Sequence, residues 1–114
     1  IESPWIAGNY LYLLTTESEI AALSRDDGKV YWVRGLPRHE DPEDRKNPII
    51  WTGPILASDR LIVAGSNQEA LAISPYTGRI LGVIGMPDAV TVAPVVANGS
   101  VYFLADDAKL VTYR

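Results

Sequence analysis

Few side chains in this 114-residue sequence have the type and setting to do chemistry. The one histidine, His39, lies in the polar stretch Arg38-His39-Glu40-Asp41-Pro42-Glu43-Asp44-Arg45-Lys46-Asn47, cysteine is absent, and no serine stands in a nucleophile-elbow setting. Without cysteine there are no disulfides, thiolate metal sites or thiol nucleophiles, and either a reducing or an oxidising compartment is permitted. Two carboxylate pairs, Asp26-Asp27 and Asp106-Asp107, could attract a cation, but calcium wants about six to eight converging oxygens. One pair falls at a hairpin turn and the other at a strand break, where Asp is favoured because it bonds the local backbone. No catalytic residue, metal ligand or cofactor is expected.

Composition narrows the class further. With 47% hydrophobic and 21% charged residues the chain is an ordinary globular one, and no apolar run approaches the roughly eighteen residues that span a bilayer. The N-terminus shows no basic start followed by an apolar core, so any export signal or lipid-bearing cysteine is expected outside this sequence. A formal net charge of -4 with scattered Lys and Arg argues against nucleic acid, which needs a clustered basic surface.

The elements that would position these residues follow from an internal repeat. Pro4-Trp5-Ile6-Ala7, Pro54-Ile55-Leu56-Ala57 and Pro94-Val95-Val96-Ala97 are three copies of Pro, two bulky apolar residues and Ala. Each is followed by a polar pair (Gly8-Asn9, Ser58-Asp59, Asn98-Gly99) and then by an apolar run: Tyr10 to Leu14, Leu61 to Ala64, Val101 to Leu104. Such punctuation predicts hairpins of short strands. Asn98-Gly99-Ser100 fits the glycosylation pattern but reads first as one of these turns. Second breaks at Glu17-Ser18, Asn67-Gln68 and Asp107-Ala108 precede third strands at Ile20 to Leu23, Ala70 to Ile73 and Leu110 to Tyr113. Asp26-Asp27-Gly28-Lys29 and Tyr76-Thr77-Gly78-Arg79 then lead to fourth strands, Val30 to Val33 and Ile80 to Ile84. In both, Gly supplies the positive φ of a tight turn.

The first copy maps onto the second at an offset of fifty and the second onto the third at forty, the difference being the ten-residue insert 38–47. Four antiparallel strands per unit, a period near forty and no helical periodicity predict an all-β, partial β-propeller of about three blades, with copies at 4–33, 54–84 and 94–114. Propellers close with roughly four to eight blades. The expectation is therefore the C-terminal part of a longer protein, its ring completed by missing blades or by self-association, since an open blade edge invites aggregation. Tyr10, Tyr12, Tyr31, Trp32, Tyr102 and Phe103 fall where rings fill the space between blades. Trp5 and Trp51, near the inner strands, could pack or could line the central channel.

Ala22-Leu23-Ser24-Arg25-Asp26-Asp27-Gly28-Lys29-Val30-Tyr31-Trp32 resembles the pyrroloquinoline-quinone (PQQ) type of propeller repeat. The resemblance implies that Ala22, Gly28, Trp32 and, in the second copy, Gly78 serve blade docking, with Trp32 seated on the next blade. The second copy keeps Ala72, Ser74 and Gly78 but has Gly82 in place of the Trp. Ala93 to Gly99, Asp106 to Val111, and Trp51-Thr52-Gly53-Pro54 with its preceding acidic insert are similar to the end of BamB-type outer-membrane-protein assembly lipoproteins. That likeness implies a non-catalytic periplasmic subunit, tethered to the outer membrane by a lipidated cysteine absent here, whose partner is the β-barrel insertase. The alternative is a fragment of a PQQ-dependent dehydrogenase whose cofactor site lies in missing blades; the vicinal disulfide many such enzymes use cannot form in this chain. A third possibility, suggested by aromatics and acidic loops, is a carbohydrate- or peptidoglycan-binding propeller.

In a four-stranded meander the second-to-third turns and the crossovers between blades share one end. The insert is therefore expected on one face with Glu17, Ser18, Glu19, Asn67, Gln68, Glu69, Asp106 and Asp107. Loops held out by a rigid sheet are where propellers carry recognition. The expected partner-binding residues are Arg38, His39, Glu40, Asp41, Glu43, Asp44, Arg45 and Lys46, with Glu17, Glu19 and Glu69 beside them.

Overall fold

A computed structural model of the chain describes residues 4–41, 43–91, 94–97 and 99–113; Pro42, Ala93, Asn98 and Arg114, which figure in the sequence reading, lie outside them. Among the described residues every regular element is a strand, and no helix is long and apolar enough to cross a membrane. In chain order the strands are β1 (Trp5–Ala7), β2 (Tyr10–Leu14), β3 (Glu19–Ser24), β4 (Val30–Gly35), β5 (His39–Asp41), β6 (Lys46–Pro48) and β7 (Trp51–Ala57). They continue as β8 (Arg60–Gly65), β9 (Glu69–Ile73), β10 (Ile80–Gly85), β11 (Val95–Ala97), β12 (Ser100–Leu104) and β13 (Leu110–Tyr113). Antiparallel pairing in sequence order makes one sheet of β1 to β4, a second of β7 to β10, and a third of β11 to β13.

The three sheets repeat one register. Ala7 faces Tyr10, Ala57 faces Arg60 and Ala97 faces Ser100, each across a two-residue turn. Pro4, Pro54 and Pro94 thus occupy one place, at or in a first strand that pairs on one side only, where the missing N–H leaves no ladder bond unmade. The first strands converge, since β7 packs against both β1 and β11. Of the three first strands, among the described residues, β7 alone carries a bulge, between Thr52 and Ile55.

Local chemistry explains the turns. At Gly8-Asn9 only the first residue has positive φ (59°), whereas Ser58 (49°) and Asp59 (66°) both do, the two mirror-image turns that match strand twist. The Gly28 N–H donates to Ser24 O (2.9 Å) and the Gly78 N–H to Ser74 O (3.0 Å), so both third-to-fourth turns close alike. Asp27 and Asp107 accept from the backbone N–H groups of Lys29 (3.0 Å) and Lys109 (3.1 Å), which accounts for one member of each carboxylate pair as turn chemistry. The bond from Lys29 lowers the Asp27 pKa below the usual carboxylate range.

β8 and β9 of the second sheet are buried on both faces. Leu61, Val63, Leu71 and Ile73 pack against Tyr12, Leu14, Ile20 and Ala22 of the first sheet. Their strand neighbours Ile62, Ala64, Ala70 and Ala72 pack against Val101, Phe103 and Ala105 on the other side. Because side chains alternate across a strand, a strand covered on both sides must read as an unbroken apolar run. Leu61 to Ala64 and Ala70 to Ile73 are such runs.

Two expectations need correction. The insert is not a loop: β5 and β6 pair as a hairpin, with His39 opposite Pro48 and Asp41 opposite Lys46. Tyr31 does not fill the space between blades; 44% exposed, it rests its ring on Tyr10 at 5.1 Å because the β3–β4 bulge at this point turns it outward. Trp51 is 5% exposed and donates its indole N–H to Pro37 O (2.8 Å), so it packs, and Trp5 packs against both cores.

Candidate protein-docking face

The insert hairpin stands on a base tied to two blades. Leu36 donates its N–H to Ser18 O (2.8 Å), binding the exit of β4 to the β2–β3 turn. Ile49 donates to Arg38 O (2.8 Å) and closes the base of the hairpin. Ile50 is then fixed to the second blade by reciprocal bonds, its N–H to Ser66 Oγ (2.9 Å) and the Ser66 N–H to its carbonyl (3.0 Å). The next crossover repeats the pattern, with Met86 N–H on Gln68 O (2.9 Å) and Asp106 N–H on Ala89 O (2.7 Å). Second-to-third turns and crossovers therefore lie at one end of the molecule, and the hairpin rises from that end.

Two non-glycine residues of positive φ shape the hairpin, Arg45 (55°) in its turn and Asn47 (56°) within β6, and the Asp44 N–H donates to Asp41 Oδ1 (3.3 Å). Arg38, Glu40, Glu43, Asp44, Arg45 and Lys46 are exposed, and His39 and Asp41 are half-buried. Among the described residues none of these side chains makes an ion pair; the one on this face joins Lys109 to Asp107 at 3.6 Å. Glu17 is exposed, Glu19 half-buried, and half-buried Glu69 accepts from the Asn67 amide (3.2 Å). No group of three or more His, Asp or Glu among the described residues is placed to hold a metal ion.

Beside the base of the hairpin lies an open cleft of about 410 Å³, bounded by Leu14, Thr15, Thr16 and Ser18 on one side and Ile49, Ile50 and Trp51 on the other. Sequence reasoning missed it. The available signal was Ile49-Ile50, an apolar pair directly after a charged segment, with Ile50 left 62% exposed.

Of the residues named for blade docking, Trp32 and Gly78 meet. A Cβ on Gly78 would stand 2.5 Å from the Trp32 ring, and the Trp32 indole N–H donates to Pro75 O (3.0 Å). Tyr12 donates its hydroxyl to the same carbonyl (3.3 Å), and Arg34 Nε donates to Gly78 O (2.7 Å). Ala22 is fully buried and pairs in register with both Tyr12 and Trp32. Gly28, and Gly82 at the place of the second Trp, have no heavy atom near enough to touch an added Cβ.

Comparison with known proteins agrees with this architecture. The chain superimposes on BamB from Moraxella catarrhalis with a TM-score of 0.79 at 15% identity, covering 97% of this chain and 31% of that one. A europium-containing methanol dehydrogenase gives 0.67 at 17% identity over 88% of this chain and 19% of that one. The WD40 domain of SCAP from fission yeast gives 0.59 at 14% identity, covering 93% and 28%. These likenesses show a propeller fold, and the chain spans about a third of the length of the BamB structure. No curated protein matches the sequence significantly. A family model described as outer membrane protein assembly factor BamB matches residues 16–114, nearly the whole sequence, and the chain therefore belongs to that family.

Proposed function

We propose that this chain forms part of a non-catalytic propeller scaffold that docks proteins on the face bearing the insert hairpin, as an accessory factor of outer-membrane β-barrel assembly. The observation that carries this reading is the hairpin itself: a rigid, charged element without ion pairs of its own, fixed at its base to two blades. Charges left unpaired on a preorganised support are free to meet complementary charges on a partner, which speeds and orients encounter. Family membership supports this reading; the setting would be the periplasmic side of the outer membrane and the partner the barrel insertase. Arg38, His39, Glu40, Asp41, Glu43, Asp44, Arg45 and Lys46 would form the contact, flanked by Glu17, Glu19 and Glu69. Further blades, or further copies of the chain, would complete the ring around the converging first strands.

The test is co-purification of the full-length protein with envelope components in mild detergent, beside a variant in which residues 38–47 are deleted and Pro37 is joined to Pro48. The second crossover already lacks these ten residues, so the fold should tolerate the deletion. The insertase is expected with the intact protein and about tenfold less with the variant, a loss of about 1.4 kcal/mol. Its absence from both would rule out the assembly role.

A further inference from the structure

We infer that the cleft beside the base of the hairpin is an anchor pocket for one large apolar side chain presented by a basic segment of the partner; this rests on the docking role proposed for the face. The cleft, about 410 Å³, falls within the range of roughly 300–1,000 Å³ of pockets that hold a ligand. Its walls are set in advance. Thr15 Oγ1 accepts from the Glu17 and Glu19 N–H groups (both 3.2 Å), which fixes the turn on one side. On the other, Trp51 is held by Pro37 O and lies against Gly65, where an added Cβ would come within 2.8 Å of its ring. Ile50 is pinned through its backbone to Ser66 while its side chain stands open to water. A pre-set floor of Leu14, Ile49, Ile50 and Trp51 edged by Thr15, Thr16 and Ser18, with the charged hairpin beyond that edge, has the anatomy of an interface hot spot, and little ordering cost is left for binding.

The electrostatics choose the occupant. The hairpin and the two turns beside it, with Glu17, Glu19 and Glu69, hold seven carboxylates against Arg38, Arg45 and Lys46, a local excess of four negative charges. A second copy of the chain would bring the same sign and be repelled. A segment with Lys or Arg on either side of an apolar residue complements the apolar floor of the cleft and the carboxylates of the hairpin and turns beside it.

The test is titration of the full-length protein, labelled at its backbone amides and at its Leu and Ile methyls, with the peptide Lys-Lys-Trp-Lys-Lys, its Ala-centred counterpart, and Glu-Glu-Trp-Glu-Glu. The basic Trp peptide is expected to shift the Leu14, Ile49 and Ile50 methyls and to bind at least about tenfold tighter than either control. Its affinity should fall as salt is raised from about 50 to about 300 mM, as screening requires. Ile50→Ser should weaken it about tenfold without moving the thermal midpoint, because that side chain is exposed and buries little on folding. Shifts confined to hairpin amides, with silent cleft methyls, would overturn the pocket and leave the docking role standing. So would absence of peptide binding alongside an insertase pull-down that still depends on the hairpin. Equal binding of the Glu-flanked peptide would overturn the choice of a basic partner. Insertase recovery unaffected by deleting the hairpin would instead sink the docking role.

Discussion

Gly78 lies under the Trp32 ring with φ +77°, and the pair shows how one residue of a blade fixes its neighbour. Any side chain at 78 meets the indole and also adopts a left-handed conformation that costs about 1–2 kcal/mol. Gly78→Ala is expected to destabilise by about 3 kcal/mol, and Trp32→Ala by a similar amount through lost packing. In the Trp32→Ala background the clash is gone, so Gly78→Ala should cost only about 1 kcal/mol, and a double-mutant cycle in urea would measure the difference. Additive costs would mean that ring and turn do not meet. The spacing of Trp32 and Gly78 was legible in the repeat. The acceptor of the indole, Pro75 O, was not, because a backbone carbonyl forty-three residues away carries no sequence mark of its role.

At the scale of elements, every strand of the three sheets was foreshadowed by alternating turn pairs and apolar runs, but the insert hairpin was not. It uses Arg45 in the turn and Asn47 within the second strand at positive φ instead of glycine, and its strands His39–Asp41 and Lys46–Pro48 have no apolar alternation to announce them. Pairing there is imposed from the base, where Ile49 closes on Arg38. The second-to-third turns show the same economy of signal. Ser18, Gln68 and Ala108 hold φ of 59°, 65° and 67° at one repeat position, and none is glycine. Ala108→Gly should relieve left-handed strain of about 1–2 kcal/mol while adding up to about 1 kcal/mol of unfolded-state entropy. The expected result is a net gain of about 0.5 kcal/mol, read from the urea midpoint; a loss would show that the turn does not hold this conformation in solution.

At the scale of the whole molecule, two cores share one central sheet, and Tyr12 connects the first blade to the second by donating to Pro75 O. Burial pushes the Tyr12 phenol up to about 12 from its ordinary 10.0. The folded state therefore holds this proton more tightly than the unfolded state, with stability undiminished below pH 10 and falling between about pH 10 and pH 12. The thermal midpoint should drop over that window, and Tyr12→Phe should flatten the drop after an initial loss of about 1 kcal/mol for the hydrogen bond. An unchanged slope in the variant would mean that Tyr12 is not the group that titrates. By itself the sequence determined the repeat and the strand order within each blade, because turn pairs and apolar runs are local demands that each copy states again. Only the tertiary structure decided which carbonyl receives Trp32, that the charged insert pairs with itself, and that Ile49, Ile50 and Trp51 face Leu14 across a cleft. Those outcomes depend on the angle at which one sheet meets the next, which packing sets between residues far apart in the chain.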